Sequence, residues 1–287
     1  MGKMMLALSS YNVPLPFEET ISLLAQHSVS WVELWTSSII GGFRDHRCDD
    51  DEMARMKTIL DRYGVKVACV NSGSVFSKGM VGSPTRYVNA VRAVLTVADE
   101  LNARFVNCYV HRFARGYADI DSYVRIVQPV AHHAEDMGVT LVVENEPYDA
   151  SATPKGMLRI IAAVDSPFFQ INFDPTNFYQ GNIEAYPYAY ELLKDHIAYI
   201  HLKNGCRYIP EIHRELGKGG PFAPPNESDS IFYPTIQYGA VNIEGLLDRL
   251  KQDGYQGFCT LEPHVPLDAL SEYHRIEVAY MLAKGIR

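Results

Sequence analysis

The segment TLVVENEP, residues 140–147, places two carboxylates directly after a run of apolar and β-branched residues. A short continuous run of this kind is typical of a strand that is buried on both faces of a parallel sheet. Carboxylates are expensive to bury unless they are paired or bind a cation. The segment therefore predicts a buried strand that ends at a polar site with Glu144. Glu146 shares the side of Glu144 only if the strand continues, and Pro147 argues against that.

Seven further apolar runs follow the same pattern, and amphipathic stretches with helical spacing separate them. The eight runs cover residues 4–8, 30–35, 65–70, 104–110, 140–144, 168–173, 196–202 and 257–262. This alternation predicts an α/β fold, and eight units fit one (β/α)8 TIM barrel that spans residues 1–287. An open doubly wound sheet would carry a glycine-rich loop after its first strand, where this chain reads SSYNVPLP.

The composition excludes several classes of protein. A net charge of −8 argues against a nucleic-acid partner, because nucleic-acid binders neutralise phosphates with basic residues. No stretch approaches the roughly 20 apolar residues of a membrane helix, and the N-terminal apolar run is too short for a signal peptide. The five cysteines show no CxxC pairing, which indicates buried thiols in a reducing compartment. We therefore predict a cytoplasmic protein with no membrane or nucleic-acid partner.

One connection is much longer than the others. Residues 205–239 lie where a strand-to-helix loop of a few residues is expected, between strand 7 and helix 7. In a TIM barrel this loop would lie on the face that carries active sites. We expect it to cap a pocket or to dock a second subunit, so the sequence is compatible with a homo-oligomer.

Four consecutive predicted strands present metal-binding side chains at their carboxyl ends. In chain order these are Glu144, Asp174, His201 and Glu262. The carboxyl ends of barrel strands converge on one mouth, so the four side chains should meet there. Three clustered carboxylates repel one another, and a divalent cation removes that cost. Oxygen-rich ligation with one imidazole suits one divalent metal ion, either Mn²⁺, Mg²⁺ or Co²⁺, with Zn²⁺ as a further alternative.

Other interpretations of these four positions stay open, and the sequence offers further candidate site residues. Each of the four residues alone would also suit a helix cap or an ion pair with a lysine. Lys203 lies two residues after His201 and faces the same side of an extended strand, so it suits an ion pair within the site or a substrate contact. His111 ends the run of strand 4 and suits a substrate contact. Glu33, near the end of strand 2, suits a hydrogen-bonding role at the mouth.

At these positions the chain resembles the xylose-isomerase-like TIM barrels, a superfamily of sugar and sugar phosphate isomerases and epimerases. The resemblance covers the whole chain and rests on VVEN around Glu144, FDPTN around Asp174, HLKNGCR from His201 and LEPHV around Glu262. The ketose 3-epimerases, the inosose isomerases and apurinic endonuclease type IV belong to this superfamily. The resemblance implies that the four residues bind one metal ion, that Glu144 and Glu262 also move protons, and that Arg207 binds substrate.

Two positions depart from the pattern of the ketose 3-epimerases. Asn177 stands where those enzymes carry a histidine, and Ala150 stands where they carry a second glutamate. Both positions concern substrate contacts, so the departures bear on the identity of the substrate and leave the metal site intact. The candidate substrate-binding residues are Arg207, Asn177, His111 and Lys203.

The expected function is a metal-dependent isomerase or epimerase of a sugar, keto sugar or cyclitol. The metal ion would polarise a carbonyl, one glutamate would remove the neighbouring C–H proton to give a metal-bound enediolate, and the other would return a proton. The alternative is a lyase or dehydratase that expels a β-hydroxyl from a keto-cyclitol or keto sugar at the same site. A DNA-repair phosphodiesterase would need further metal ligands, and the chain has Asn71 and Asn177 where histidines would serve. A non-catalytic barrel would bind metal and sugar without proton exchange.

Overall fold

The computed structural model describes residues 3–39, 48–73, 83–113, 116–209, 211, 213 and 231–287. Eight parallel strands close into a barrel in the order in which they occur along the chain. These strands, β1 to β8, are Met5–Ser9, Trp31–Trp35, Lys66–Asn71, Phe105–Cys108, Thr140–Glu144, Phe169–Phe173, Ile197–Leu202 and Phe258–Leu261. The barrel closes because Leu8 of β1 lies opposite both Val32 of β2 and Leu261 of β8. The predicted TIM barrel is therefore confirmed.

Helices connect the strands and cover the outside of the barrel. The α-helices of the described chain, α1 to α9, are Phe17–Ala25, Asp50–Tyr63, Pro84–Glu100, Ile120–Met137, Pro154–Val164, Pro175–Gln180, Tyr190–Leu193, Ile243–Gln252 and Leu267–Ala283. Ser83 and Thr153 cap the N-termini of α3 and α5 through their side-chain oxygens, and a proline follows each. Gly64 and Gly138 end α2 and α4 in the left-handed conformation, at φ of 64° and 70°.

The barrel interior changes from apolar to polar between two layers of inward-facing side chains. The lower layer includes Phe105, Val142, Tyr199 and Phe258. Two residues later along the same four strands come the buried polar side chains of Asn107, Glu144, His201 and Thr260. Side chains two residues apart in a strand face the same side. The apolar layer therefore forms the floor of a polar site at the carboxyl ends of the strands.

Helix α6 begins directly after β6, at the mouth of the barrel. It is six residues long, and no apolar periodicity predicts so short a helix. The sequence does carry its start signal, because Asp174 followed by Pro175 repeats the arrangement of a capping residue and a proline that starts α3 and α5.

The connection after β7 is described only in part. Cys206–Arg207 pairs antiparallel with Ile231–Phe232, so the two ends of the connection meet. Residues 210, 212 and 214–230 of the predicted long loop lie outside the described part of the chain. Its predicted role as a cap or a subunit contact stays a prediction. None of the described helices has the length and apolar character needed to cross a membrane.

Candidate metal centre

The structure brings together the four side chains that the sequence predicts as metal ligands. Each of them offers one ligand atom within 4.8 Å of those of the others, and all four residues are buried. Nδ1 of His201 lies 3.2 Å from Oε1 of Glu144 and 3.6 Å from Oε1 of Glu262. Asp174 completes the group from the end of β6. These four residues form a group that can hold a metal ion.

Two atoms of this group fit a metal ion particularly well. Within the described part of the chain, Nδ1 of His201 and Oε1 of Glu262 are buried without a hydrogen-bond partner. Burying a polar atom without a partner costs about 1–3 kcal/mol, so such atoms are rare in native proteins. Carboxylate oxygens and an imidazole nitrogen are donors that Mn²⁺, Mg²⁺, Co²⁺ and Zn²⁺ accept. A cation between the two atoms would satisfy both.

Glu33 in β2 holds the other ring nitrogen of His201. Its Oε2 lies 2.8 Å from Nε2 of the imidazole. Its Oε1 accepts hydrogen bonds from Nδ2 of Asn71 at 3.0 Å and from Oγ of Ser9 at 3.3 Å. This matches the hydrogen-bonding role expected for Glu33 at the mouth. The contact turns Nδ1 of His201 toward the carboxylates of the centre.

The charge on His201 reflects its acidic surroundings. Burial lowers the pKa of the imidazole, but Glu262, Glu33 and Glu144 outweigh it, and the pKa lies well above its ordinary value. A proton and a metal ion would therefore compete for Nδ1, as they do at any ligand that must be deprotonated to bind.

Lys203 forms the ion pair that was one of its two predicted roles. Its side chain is 3% exposed, and its ammonium group donates to Oε2 of Glu262 at 2.9 Å and also contacts Oδ2 of Asp174. Burial opposes the charge on the lysine, but Asp174 and Glu262 outweigh it and hold its pKa well above the ordinary value. One cation thus offsets part of the charge of three carboxylates.

Asp174 both caps a helix and belongs to the metal centre. Its Oδ1 accepts the backbone N–H groups of Thr176 and Asn177 at 2.8 and 2.9 Å, which starts α6. Its backbone N–H donates to Oδ1 of Asn145 at 2.8 Å. The two readings of this position, helix cap and metal ligand, are therefore compatible. The N-terminus of α6 also favours a negative charge at this point.

Two asparagines orient Glu144. Nδ2 of Asn107 donates to its Oε2 at 2.8 Å, and Nδ2 of Asn177 donates to its Oε1 at 3.2 Å. Asn177, a predicted substrate ligand, thus contacts the carboxylate of Glu144. Asn107 was not predicted as a site residue. As a polar residue inside the apolar run of β4, it could have been identified from the sequence.

Aromatic side chains and one more carboxylate lie around the centre. Nε2 of His264 is 3.2 Å from Oε2 of Glu262, and its ring stacks on Tyr11 with centroids 4.3 Å apart. Tyr233 lies 4.8 Å from the same ring. Strand β5 ends at Glu144, yet Glu146 still lies close enough that burial and the charge of Glu144 raise its pKa well above the ordinary value. The sequence pattern does not identify His264, Tyr11 or Tyr233 as site residues.

The other two predicted substrate-binding residues are His111 and Arg207. His111 is buried between the rings of Tyr87 and Phe113, with centroids at 5.2 and 4.8 Å. Arg207 is exposed and pairs with Ile231 in the short antiparallel sheet. Their contact with substrate stays a prediction.

Comparisons with known proteins agree with this architecture. A family model described as xylose isomerase-like TIM barrel matches residues 21–281. Among solved structures, a xylose isomerase-like TIM barrel protein from Mycobacterium smegmatis in complex with magnesium is 15% identical, with a TM-score of 0.74 over 99% of this chain and 96% of that chain. The probable 3-DHS dehydratase AsbF from Bacillus anthracis is 13% identical, with a TM-score of 0.72 over 98% and 99%.

A third solved structure, 3-keto-D-glucoside 4-epimerase YcjR from E. coli, is 15% identical, with a TM-score of 0.68 over 98% of this chain and 100% of that chain. At such identities these likenesses show the fold alone. No curated protein sequence matches the chain. The family match confirms the resemblance that the four motifs indicate.

Proposed function

Because the chain belongs to the xylose isomerase-like TIM-barrel family, we propose that it is a divalent-metal-dependent isomerase or epimerase of a small carbohydrate. The substrate is a sugar, a keto sugar or a cyclitol. One observation carries the proposal, namely the buried group of Glu144, Asp174, His201 and Glu262 at the mouth of the barrel. These four residues hold the metal ion, and Mn²⁺ is the preferred one.

The chemistry follows from the two glutamates of the group. A divalent ion supplies Lewis acidity, which polarises a substrate carbonyl and acidifies the neighbouring C–H bond. Glu144 and Glu262 come from β5 and the end of β8, so they approach a bound substrate from different sides of the mouth. One carboxylate takes the carbon-bound proton and leaves an enediolate. The other glutamate, protonated at the start of the cycle, delivers its proton to the opposite face of the same carbon, which gives an epimer. In an isomerisation the carbon-bound proton is returned to the neighbouring carbon instead, while the hydroxyl proton passes to the former carbonyl oxygen.

The contacts around Glu144 and Glu262 suit acid–base catalysis. Asn107 and Asn177 fix both oxygens of Glu144, while Lys203 and His264 contact Oε2 of Glu262. Oε1 of Glu262 therefore stays directed toward the centre. Positioned acid–base groups of this kind contribute roughly 10²–10⁴-fold to the rate.

Proton exchange tests this proposal. The Mn²⁺-loaded protein is incubated in D₂O with a panel of free ketoses and inososes, the protein is removed by filtration, and each C–H signal is followed by NMR. Deuterium at one carbon, together with a new epimer or aldose, is the expected result. E144Q and E262Q should lose the exchange, whereas the exposed-surface variant E19Q should retain it.

Other outcomes would change the assignment. An unsaturated product would move the assignment to the alternative, a lyase or dehydratase. Bound metal without exchange of any panel substrate would contradict the enolising site, and failure to bind a metal ion would contradict the centre itself. Location in the cytoplasm, assembly as a homo-oligomer and the lack of a nucleic-acid partner stay predictions from the sequence.

A further inference from the structure

Glu33 is a completely buried carboxylate whose ion-pair partner is an imidazole. Its Oε2 lies 2.8 Å from Nε2 of His201, and neither side chain is exposed. A buried carboxylate is costly to keep unless strong donors satisfy it. The question is what holds these two side chains in place, because that decides which atoms Nδ1 of His201 faces.

The first chain of hydrogen bonds reaches Glu33 from Asn71. The backbone N–H of Gly73 donates to Oδ1 of Asn71 at 2.9 Å, which fixes the orientation of the amide. The hydroxyl of Tyr109 donates to the same oxygen at 3.1 Å. Nδ2 of Asn71 is then left to donate to Oε1 of Glu33 at 3.0 Å. At this contact Glu33 must accept.

The second chain reaches Glu33 from Ser9. The indole N–H of Trp35 can only donate, and it donates to Oγ of Ser9 at 3.0 Å. The hydroxyl of Ser9 therefore turns its single proton to Oε1 of Glu33, at 3.3 Å. Both chains deliver donors to the same oxygen. One carboxylate oxygen offers two acceptor sites, so Oε1 can accept both bonds while Oε2 stays directed at His201.

We infer that Glu33 is a positioning residue that fixes His201 as a metal ligand. Its Oε2 holds Nε2 of His201, so Nδ1 is the ring nitrogen that faces Glu144 and Glu262 and that would bind a metal ion. Two donors hold Oε1 in place, so the carboxylate cannot rotate and the imidazole is held in one orientation. Such a carboxylate partner also makes a ligating imidazole more basic. The inference rests on the proposed metal centre.

The test compares E33Q with wild type and with a matched control, E277Q. Gln keeps the shape of Glu33, and Glu277 is likewise a buried glutamate that accepts a hydrogen bond, there from the backbone of Ile236. Calorimetric titration with Mn²⁺ measures metal affinity. We expect E33Q to bind Mn²⁺ about 10–100-fold more weakly than wild type, and E277Q to bind as wild type does.

A spectroscopic readout separates positioning from a general structural effect. In Mg²⁺-loaded protein labelled with ¹⁵N-histidine, the Nε2–H proton of His201 should resonate far downfield, as expected for donation to a carboxylate. H201N assigns the signal by removing it, and E33Q should move it upfield while the other imidazole signals stay in place.

The outcomes distinguish this inference from the proposed function. Equal Mn²⁺ affinity in wild type and E33Q, with an unshifted imidazole proton, would overturn the role of Glu33 and leave the metal centre intact. Equal weakening in E33Q and E277Q would also overturn it. Failure of wild type itself to bind Mn²⁺ would refute the proposed function, and the role of Glu33 with it.

Discussion

Replacing Glu277 by glutamine should make the stability of the protein much less dependent on pH. Glu277 lies on α9, is 1% exposed, and accepts the backbone N–H of Ile236 at 3.0 Å through Oε1. Its Oε2 has no hydrogen-bond partner among the described residues. Burial raises the pKa of this carboxyl from 4.5 to about 8. The folded protein therefore holds a proton that the unfolded chain releases.

The sign and size of the effect follow from this difference. Between pH 4.5 and about 8 the unfolded state binds fewer protons at this group, so stability falls as pH rises. Each pH unit in this interval removes about 1.4 kcal/mol from the free energy of unfolding. The full interval therefore corresponds to a loss of roughly 5 kcal/mol by pH 8 or above. The amide of E277Q does not titrate and escapes this loss.

Urea unfolding of metal-free wild type and E277Q at pH 5, 6, 7, 8 and 9 measures the effect. The two proteins should have similar free energies of unfolding at pH 5, since Glu277 is then neutral. The advantage of E277Q should grow with pH and level off above pH 8. E19Q, which removes an exposed carboxylate, controls for the change in net charge. Parallel pH profiles of wild type and E277Q would refute a buried neutral carboxyl at this position.

Three more perturbations test other buried groups. K203M removes the cation between Asp174 and Glu262, so the free energy of unfolding of the metal-free protein at pH 7 should fall by about 3–5 kcal/mol in urea denaturation; an unchanged value would rule out a stabilising ion pair. Burial lowers the pKa of His274 from 6.5 to about 3, so the unfolded state takes up the proton first and stability falls as pH drops below 6.5. In H274L the free energy of unfolding should depend less on pH below 6.5, by up to about 1.4 kcal/mol per pH unit. An unchanged midpoint of acid unfolding would contradict the burial of a neutral imidazole. Mn²⁺ at 100 times its Kd should stabilise wild type by about 2.7 kcal/mol; thermal unfolding should show this shift in wild type and lose it in E262Q.

The sequence predicts the strands of this barrel well because their signal is local. Each strand is a short apolar run, and the structure places their limits within one residue of the predicted ones, except that β4 ends at Cys108, two residues before the end of its run. The four side chains that could hold a metal ion are predictable for the same reason. Glu144 and Glu262 end such a run, Asp174 follows one, and His201 is the second-to-last residue of one. Barrel topology brings the carboxyl ends of all strands to one mouth.

The partners of these side chains depend on register, which is not a local property. In β3 an extra residue relative to β2 lies between the pairs Val32–Val67 and Glu33–Cys69. Ala68 and Cys69 both belong to the apolar cluster inside the barrel, so the alternation of inward and outward side chains shifts by one from there on. Without this bulge, Val70 would face inward in place of Asn71.

The bulge thus gives Glu33 a hydrogen-bond donor and connects it to Tyr109 through Asn71. A one-residue slip turns every later side chain of a strand to the other face. The sequence VKVACVN carries no proline or glycine that would indicate such a slip. The residues that could bind a metal ion can therefore be predicted from strand ends, whereas the asparagine that donates to Glu33 becomes evident only from the pairing of β2 with β3.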